Sequence, residues 1–126
     1  MIEYDTEHGQ VRFGDQIFAM IALEAAHENN SIYALTNAKG KIIKPDQTGR
    51  GALSYIEVST DDGAVNLRIY GIIRFGSSIS GTAEILGRRI RSMIWNITGA
   101  KTGKIVFTLT GVKSRKVARR ELDILC

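Results

Sequence analysis

The stretch DDGAVNLRIYGIIRF, residues 61–75, decides the fold because it joins a turn signal to a long alternating strand. An Asp-Gly pair beside alternating hydrophobic residues is a strong short-range signal for a β-hairpin. After the turn, one strand face collects the apolar residues Val65, Leu67, Ile69, Ile73 and Phe75. The opposite face collects Asn66, Arg68, Tyr70 and Arg74. This period of two predicts a strand with one buried side.

Further strands and two helices flank this hairpin along the chain. Four more segments have the composition of strands: residues 9–13, 31–36, 53–60 and 101–112. A first helix is predicted over residues 16–28, with Asp15 as its N-cap. A second helix runs from an N-cap at Ser78 or Ser80 to Thr98, and Gly99 follows its end. The order β-α-β-β-β-α-β predicts an α+β fold, in which two helices pack on one face of a mostly antiparallel sheet.

The chain has 126 residues, which is long enough for one domain with its own hydrophobic core. We assign residues 1–112 to the α+β domain and residues 113–126 to a basic C-terminal tail that can form a short helix. Residues 37–52 contain three glycines, the only proline and four basic residues. That composition indicates a loop or a mobile hairpin between the first helix and the central strands.

The second helix has one apolar side and one side that combines charge with the only tryptophan. At about 100° per residue, the apolar stripe contains Ile79, Ala83, Leu86, Ile90, Met93, Ile94 and Ile97. Arg88, Arg91 and Trp95 fall on the opposite side. Trp and Arg are enriched at binding hot spots, so these three residues form a candidate interface. The alternative is local, with Trp95 stacked on an arginine of the preceding turn through a cation–π contact.

Basic residues outnumber acidic ones, and the formal net charge is +4. They form a helix set (Arg88, Arg89, Arg91), a tail set (Lys113, Arg115, Lys116, Arg119, Arg120) and a loop set (Lys39, Lys41, Lys44, Arg50). Such sets are commonly solvated faces, but together they would make an anion-attracting patch. Because Trp95 offers a surface on which bases can stack, the alternative function is a small RNA-binding module.

The sequence has no recognisable catalytic or metal-binding pattern. His8 and His27 have no cysteine or second histidine at the spacing of zinc ligands, and the glycine-rich segments lack the spacing of phosphate loops. We therefore predict no catalytic residue, no metal and no cofactor, in a protein that is not an enzyme. The first residues do not resemble a signal peptide, and no apolar run reaches the ~20 residues of a membrane span. These features predict a cytoplasmic protein.

Four segments follow one another in a characteristic order. They are MIALEAAHE at 20–28, IEVSTDDGAVNLRIYGIIRFG at 56–76, NITG at 96–99 and IVFTLTGV at 105–112. In this order the chain resembles the bacterial alkaline shock protein family over residues 9–112. The resemblance implies a non-enzymatic adaptor or scaffold in cell-envelope homeostasis or the stress response. It also implies two kinds of partner: a second copy in a homo-oligomer, and a membrane-anchoring protein that holds the chain at the membrane periphery.

Overall fold

Seven strands and three helical segments make up the computed structural model, which describes residues 2–6, 9–43 and 49–126. The strands are β1 (Ile2–Thr6), β2 (Gly9–Phe13), β3 (Ile32–Leu35), β4 (Ile56–Asp61), β5 (Ala64–Arg74), β6 (Lys101–Lys113) and β7 (Val117–Leu125). The helices are α1 (Asp15–Glu28), the single turn α2 (Gly49–Ala52) and α3 (Ile79–Thr98). The predicted α+β class is confirmed. The predicted cap of α1 is wrong, because the helix begins at Asp15 itself and Gly14 occupies the N-cap position.

Five of the strands form one sheet. Four of them follow one another in the order β3-β5-β6-β7, and the fifth, β4, pairs with the same edge of β5 as β3 does, at a different part of that strand. The pairing of β5 with β6 is parallel and the other pairings are antiparallel, so the sheet is mostly antiparallel, as predicted. A parallel pair needs a long crossover connection, and α3 supplies it. The predicted hairpin turn forms where Asp62 and Gly63 adopt φ values of +49° and +74°. Positive φ at both central residues is what a type I′ turn requires.

The hydrophobic core lies between one face of this sheet and the helices α1 and α3. The two central strands contribute seven residues of this core that are each at most 3% exposed: Val65, Leu67, Ile69, Ile73, Ile105, Phe107 and Leu109. The placement of Phe75 on the buried face is wrong, because that side chain is 77% exposed. β5 ends at Arg74, and Gly76 at φ +88° turns the chain away from the sheet. Phe75 therefore lies beyond the end of the strand, where the core does not cover its side chain.

Both terminal regions contain a strand that the sequence did not predict. β1 pairs with β2 in a separate two-stranded sheet, so the predicted strand at 9–13 does not join the main sheet. The short helix considered for residues 113–126 is wrong, because β7 occupies most of that segment. The backbone of β7 pairs with the open edge of β6. In this register Leu122 lies opposite Leu109 and Ile124 lies opposite Phe107.

The segment predicted as a loop, residues 37–52, is only partly described. Residues 37–41 form a turn that is closed by a β-bridge between Thr36 and Ile42. Residues 44–48 lie outside the described residues, and α2 follows them. The loop therefore contains a short hairpin-like turn at its start and a helical turn at its end.

The Tyr55 hydroxyl is buried, and in the described part of the chain it has no hydrogen-bond partner. The residue is 4% exposed, and burial raises the pKa of its phenol. An unpaired buried hydroxyl costs about 1–3 kcal/mol, so we expect Tyr55→Phe to raise the free energy of unfolding by about 1 kcal/mol in urea denaturation. Tyr33→Phe is the control, since Tyr33 is 37% exposed and should leave stability unchanged. A less stable Tyr55→Phe would mean that the hydroxyl is hydrogen-bonded in solution.

Candidate interaction site

The rotation of α3 about its own axis is fixed by its two caps and by its buried side. Ser78 Oγ accepts a hydrogen bond from the Gly81 amide at 3.0 Å, which confirms one of the two predicted N-caps. At the other end, Gly99 adopts φ +72°, and its amide donates to the Trp95 carbonyl at 2.9 Å. Four residues of the predicted apolar stripe are at most 1% exposed: Ala83, Leu86, Ile90 and Ile94. The opposite side, which carries Trp95, therefore faces outward.

The ends of the predicted apolar stripe are not buried. Ile97 is 56% exposed and Ile79 is 36% exposed, so their assignment to the core is wrong. Both residues lie at the ends of α3, whose bounds are Ile79 and Thr98. A helical pattern continues to the helix ends, whereas the core covers only the middle of the helix.

Trp95 is 61% exposed, and the two arginines of its stripe are directed elsewhere. Arg88 forms an ion pair with Glu84, one turn earlier, at 2.5 Å. Arg91 donates to the Gly103 carbonyl of β6 at 3.4 Å. Both guanidiniums are therefore engaged away from the indole.

The cation–π contacts among the described residues lie at Tyr33 rather than at Trp95. The Tyr33 ring centroid is 5.3 Å from the Arg74 guanidinium carbon and 5.4 Å from Lys113 Nζ. Within the described chain, the local stacking predicted as the alternative for Trp95 is thus not formed. The candidate interface of Arg88, Arg91 and Trp95 stays a prediction, and the indole is open to a partner.

The outer side of α3 adjoins the end of β7. A shallow depression is lined by Glu84, Arg88 and Arg91 of α3, by Ile124 and Leu125 of β7, and by Cys126, which follows the strand. The approach is close, because a Cβ atom added to Gly87 would lie 2.8 Å from Cys126 Cβ.

Two of the three basic sets meet, and the third lies apart from them. Arg119 and Arg120 of the tail set line one depression with Lys39 of the loop set, and Arg119 Nη1 donates to the Gly40 carbonyl. Alternation with core-facing Leu122 places Arg119 on the sheet face that turns away from the helices.

The helix set lies on the helical layer, where Arg89 pairs with Glu28 of α1 at 2.8 Å. The hydrogen bond from Arg89 lowers the pKa of the Glu28 carboxyl. Arg115 and Lys116 are exposed between β6 and β7, while Lys44 and the side chain of Arg50 lie outside the described part. The three sets therefore do not combine into one patch among the described residues.

A polar network that the sequence did not predict ties β7 to β5 across β6. Arg68 Nη1 donates to Thr108 Oγ1 at 2.7 Å and to Asp123 Oδ2 at 2.9 Å. Thr108 Oγ1 donates to Asp123 Oδ1 at 2.6 Å, and these bonds, first from Thr108 and then from Arg68, lower the pKa of Asp123. On the same face Tyr70 donates to Glu57, and burial together with this bond raises the pKa of Tyr70 to about 12. The network holds β7 in place as an ordered edge strand.

The central hairpin and the helix that follows it in the chain belong to a known sequence pattern. The pattern of the alkaline shock protein 23 family, which is described as having a cell envelope-related function, matches residues 3–114. The chain belongs to this family. The resemblance found in the sequence is therefore confirmed, and with it a cell envelope-related function.

Three further findings stand beside the family match. No curated protein and no solved structure matches the chain significantly. Among the described residues, the helices are too short or too polar to cross a membrane. The family match ends at residue 114, before β7 begins at Val117. β7 therefore lies outside the part of the chain that the family pattern covers.

Proposed function

We propose that this chain is a non-enzymatic adaptor or scaffold that acts in cell-envelope homeostasis or the stress response. It works through protein–protein contacts and self-association. Membership of the family supports the envelope-related part of the proposal. One observation carries the rest: Trp95 is 61% exposed on a helix side whose orientation is fixed, with no aromatic or cationic group stacked on it in the described chain.

An exposed indole on an ordered helix is suited to binding. Burial of apolar area contributes about 25 cal/mol per Å², and a large rigid ring loses little conformational entropy when it docks. The adjacent Arg88 and Glu84 supply one charge of each sign, which can orient a partner without adding a large net charge. The arrangement therefore favours a protein surface with a hydrophobic pocket and mixed charges at its rim.

The proposed partners are a second copy of the chain and a membrane-anchoring protein. The chain would work in the cytoplasm and reach the membrane periphery through that second partner. The described helices offer no membrane span of their own, so a docking surface such as that around Trp95 is the feature that supports this arrangement.

Replacing Trp95 by alanine is expected to weaken self-association or capture of the anchoring partner by at least about tenfold, because tryptophan hot spots contribute about 2 kcal/mol or more. Light scattering over a concentration series measures self-association, and pull-down of membrane proteins measures capture of the anchoring partner. Leu53→Ala is the control, since Leu53 is a 37% exposed apolar residue far from α3 in the chain. Unchanged mass and unchanged capture in Trp95→Ala would contradict the proposed role of this side of α3.

The alternative function, an RNA-binding module, draws on the depression where Lys39, Arg119 and Arg120 meet. Recognition of single-stranded RNA combines basic groups with an aromatic ring on which bases stack. Here Trp95 lies on the helical layer, whereas Arg119 lies on the opposite face of the sheet. This separation favours protein partners, and a salt-dependent gel shift with single-stranded RNA would favour the alternative.

A further inference from the structure

β7 leaves one edge of the five-stranded sheet open. It is the last strand in the order β3-β5-β6-β7, and among the described residues no strand pairs with its outer side. The Cys126 amide donates to the Ile105 carbonyl of β6 at 2.8 Å. Because backbone groups alternate along a strand, those of Asp123 and Leu125 then point away from β6. An ordered strand with free backbone groups is a template for another strand.

The sequence of β7, VARRELDIL, is complementary to itself when it is reversed about Glu121. In that antiparallel register, opposite charges face each other because Arg119 lies opposite Asp123. The apolar pairs are Val117 with Leu125 and Ala118 with Ile124, and the pair left without a match is Arg120 with Leu122. Each matched pair forms twice by symmetry, and cross-strand pairs of these kinds contribute about 0.2–1 kcal/mol each.

Neighbouring registers match less well. With the centre at Arg120, Arg119 faces Glu121 and Ala118 faces Leu122, but Arg120 faces itself and Asp123 faces Val117. With the centre at Leu122, Glu121 faces Asp123 on both sides. The register about Glu121 has a single like-charged pair, Glu121 with itself, and like charges directly opposite are destabilising. It is the best of the three because its apolar pairs are twice as many as those of the register about Arg120, and its unfavourable positions are the central Glu121 and the two pairings of Arg120 with Leu122.

We infer that β7 pairs antiparallel with β7 of a second copy of this chain, centred on Glu121, so that one sheet continues across both copies. A two-fold axis relates the copies, as in most homodimers. The pairing covers the exposed apolar side chains of Leu122 and Leu125, which are 48% and 70% exposed. The inference rests on the self-association proposed above and names the surface and the register through which it occurs.

One feature of the structure lowers the cost of this pairing. The network of Arg68, Thr108 and Asp123 holds β7 in place before binding, so little backbone entropy remains to be lost.

A cysteine at position 121 tests the register. Directly opposite Cα atoms in an antiparallel pair are about 4.5–5.5 Å apart, which is within reach of a disulfide. In a full-length Cys126→Ser background, Glu121→Cys is expected to convert to a covalent dimer under oxidised glutathione, as measured on a non-reducing gel. Leu125→Cys in the same background is the control, because residue 125 is exposed on the same strand but faces Val117 of the other copy.

We expect Glu121→Cys to cross-link at least about tenfold faster than Leu125→Cys. The pairing places the thiol at position 121 next to the same thiol of the other copy and so raises its effective concentration there, whereas the thiols at position 125 lie apart. Equal rates, or no cross-link at position 121, would overturn the inference. The outcome is separable from that of the Trp95 test. An oligomer that depends on Trp95 but does not cross-link at position 121 leaves the scaffold proposal standing and removes the β7 seam.

Discussion

Replacing Ile90 by alanine is expected to lower the free energy of unfolding by about 2–5 kcal/mol, because the lost methyl groups leave a cavity in a packed core. Ile90 is fully buried on the inner side of α3. The same replacement two helical turns later, Ile97→Ala, is expected to change stability by no more than about 0.5 kcal/mol, as is usual for surface positions. Ile97 is 56% exposed. Urea denaturation followed by far-ultraviolet circular dichroism measures both.

This pair is its own matched control. The two residues are identical, they lie on one helical stripe, and the intrinsic helix propensity changes equally in both variants. The difference in unfolding free energy therefore reports burial alone. Equal losses in the two variants would mean that the core extends to the end of α3, which contradicts the exposure of Ile97.

Ile90 and Ile97 also show what a hydropathy pattern can predict. The period of about 3.6 residues identifies which side of a helix faces the core, and it correctly turned Trp95 outward. The same pattern contains no information on where the supporting sheet ends beneath the helix. That limit depends on the strands facing α3, which belong to other parts of the sequence.

β7 shows a second limit of local pattern. Four of its central positions carry charge, at Arg119, Arg120, Glu121 and Asp123, so the alternation that predicted β5 is weak there. The strand is specified instead by distant partners, the open edge of β6 and the Arg68 side chain on β5. The position of the helix stripe also depends on distant parts of the chain. The helical pattern therefore predicted the stripe of Arg88, Arg91 and Trp95, but it could not predict that a strand edge lies beside it.

Gly71 lies where a side chain from the neighbouring strand fills the space above the sheet. A Cβ atom at Gly71 would lie 2.8 Å from Phe107 Cε1 and 3.2 Å from the Ala34 carbonyl oxygen. Phe107 is fully buried, so its ring has no free volume into which it can move. Gly71→Ala is therefore expected to lower the free energy of unfolding by about 1–3 kcal/mol through overpacking, although alanine is normally favoured over glycine within a strand.

A double-mutant cycle with Phe107→Leu separates this overpacking from a backbone effect. The shorter side chain removes the ring atoms that crowd position 71, so Gly71→Ala should cost less in the Phe107→Leu background than in the wild type. The expected coupling energy is about 0.5–3 kcal/mol, as is found for residues in direct contact. Additive costs in urea denaturation would instead assign the whole loss to the Ala34 backbone, because that contact does not change when Phe107 is shortened.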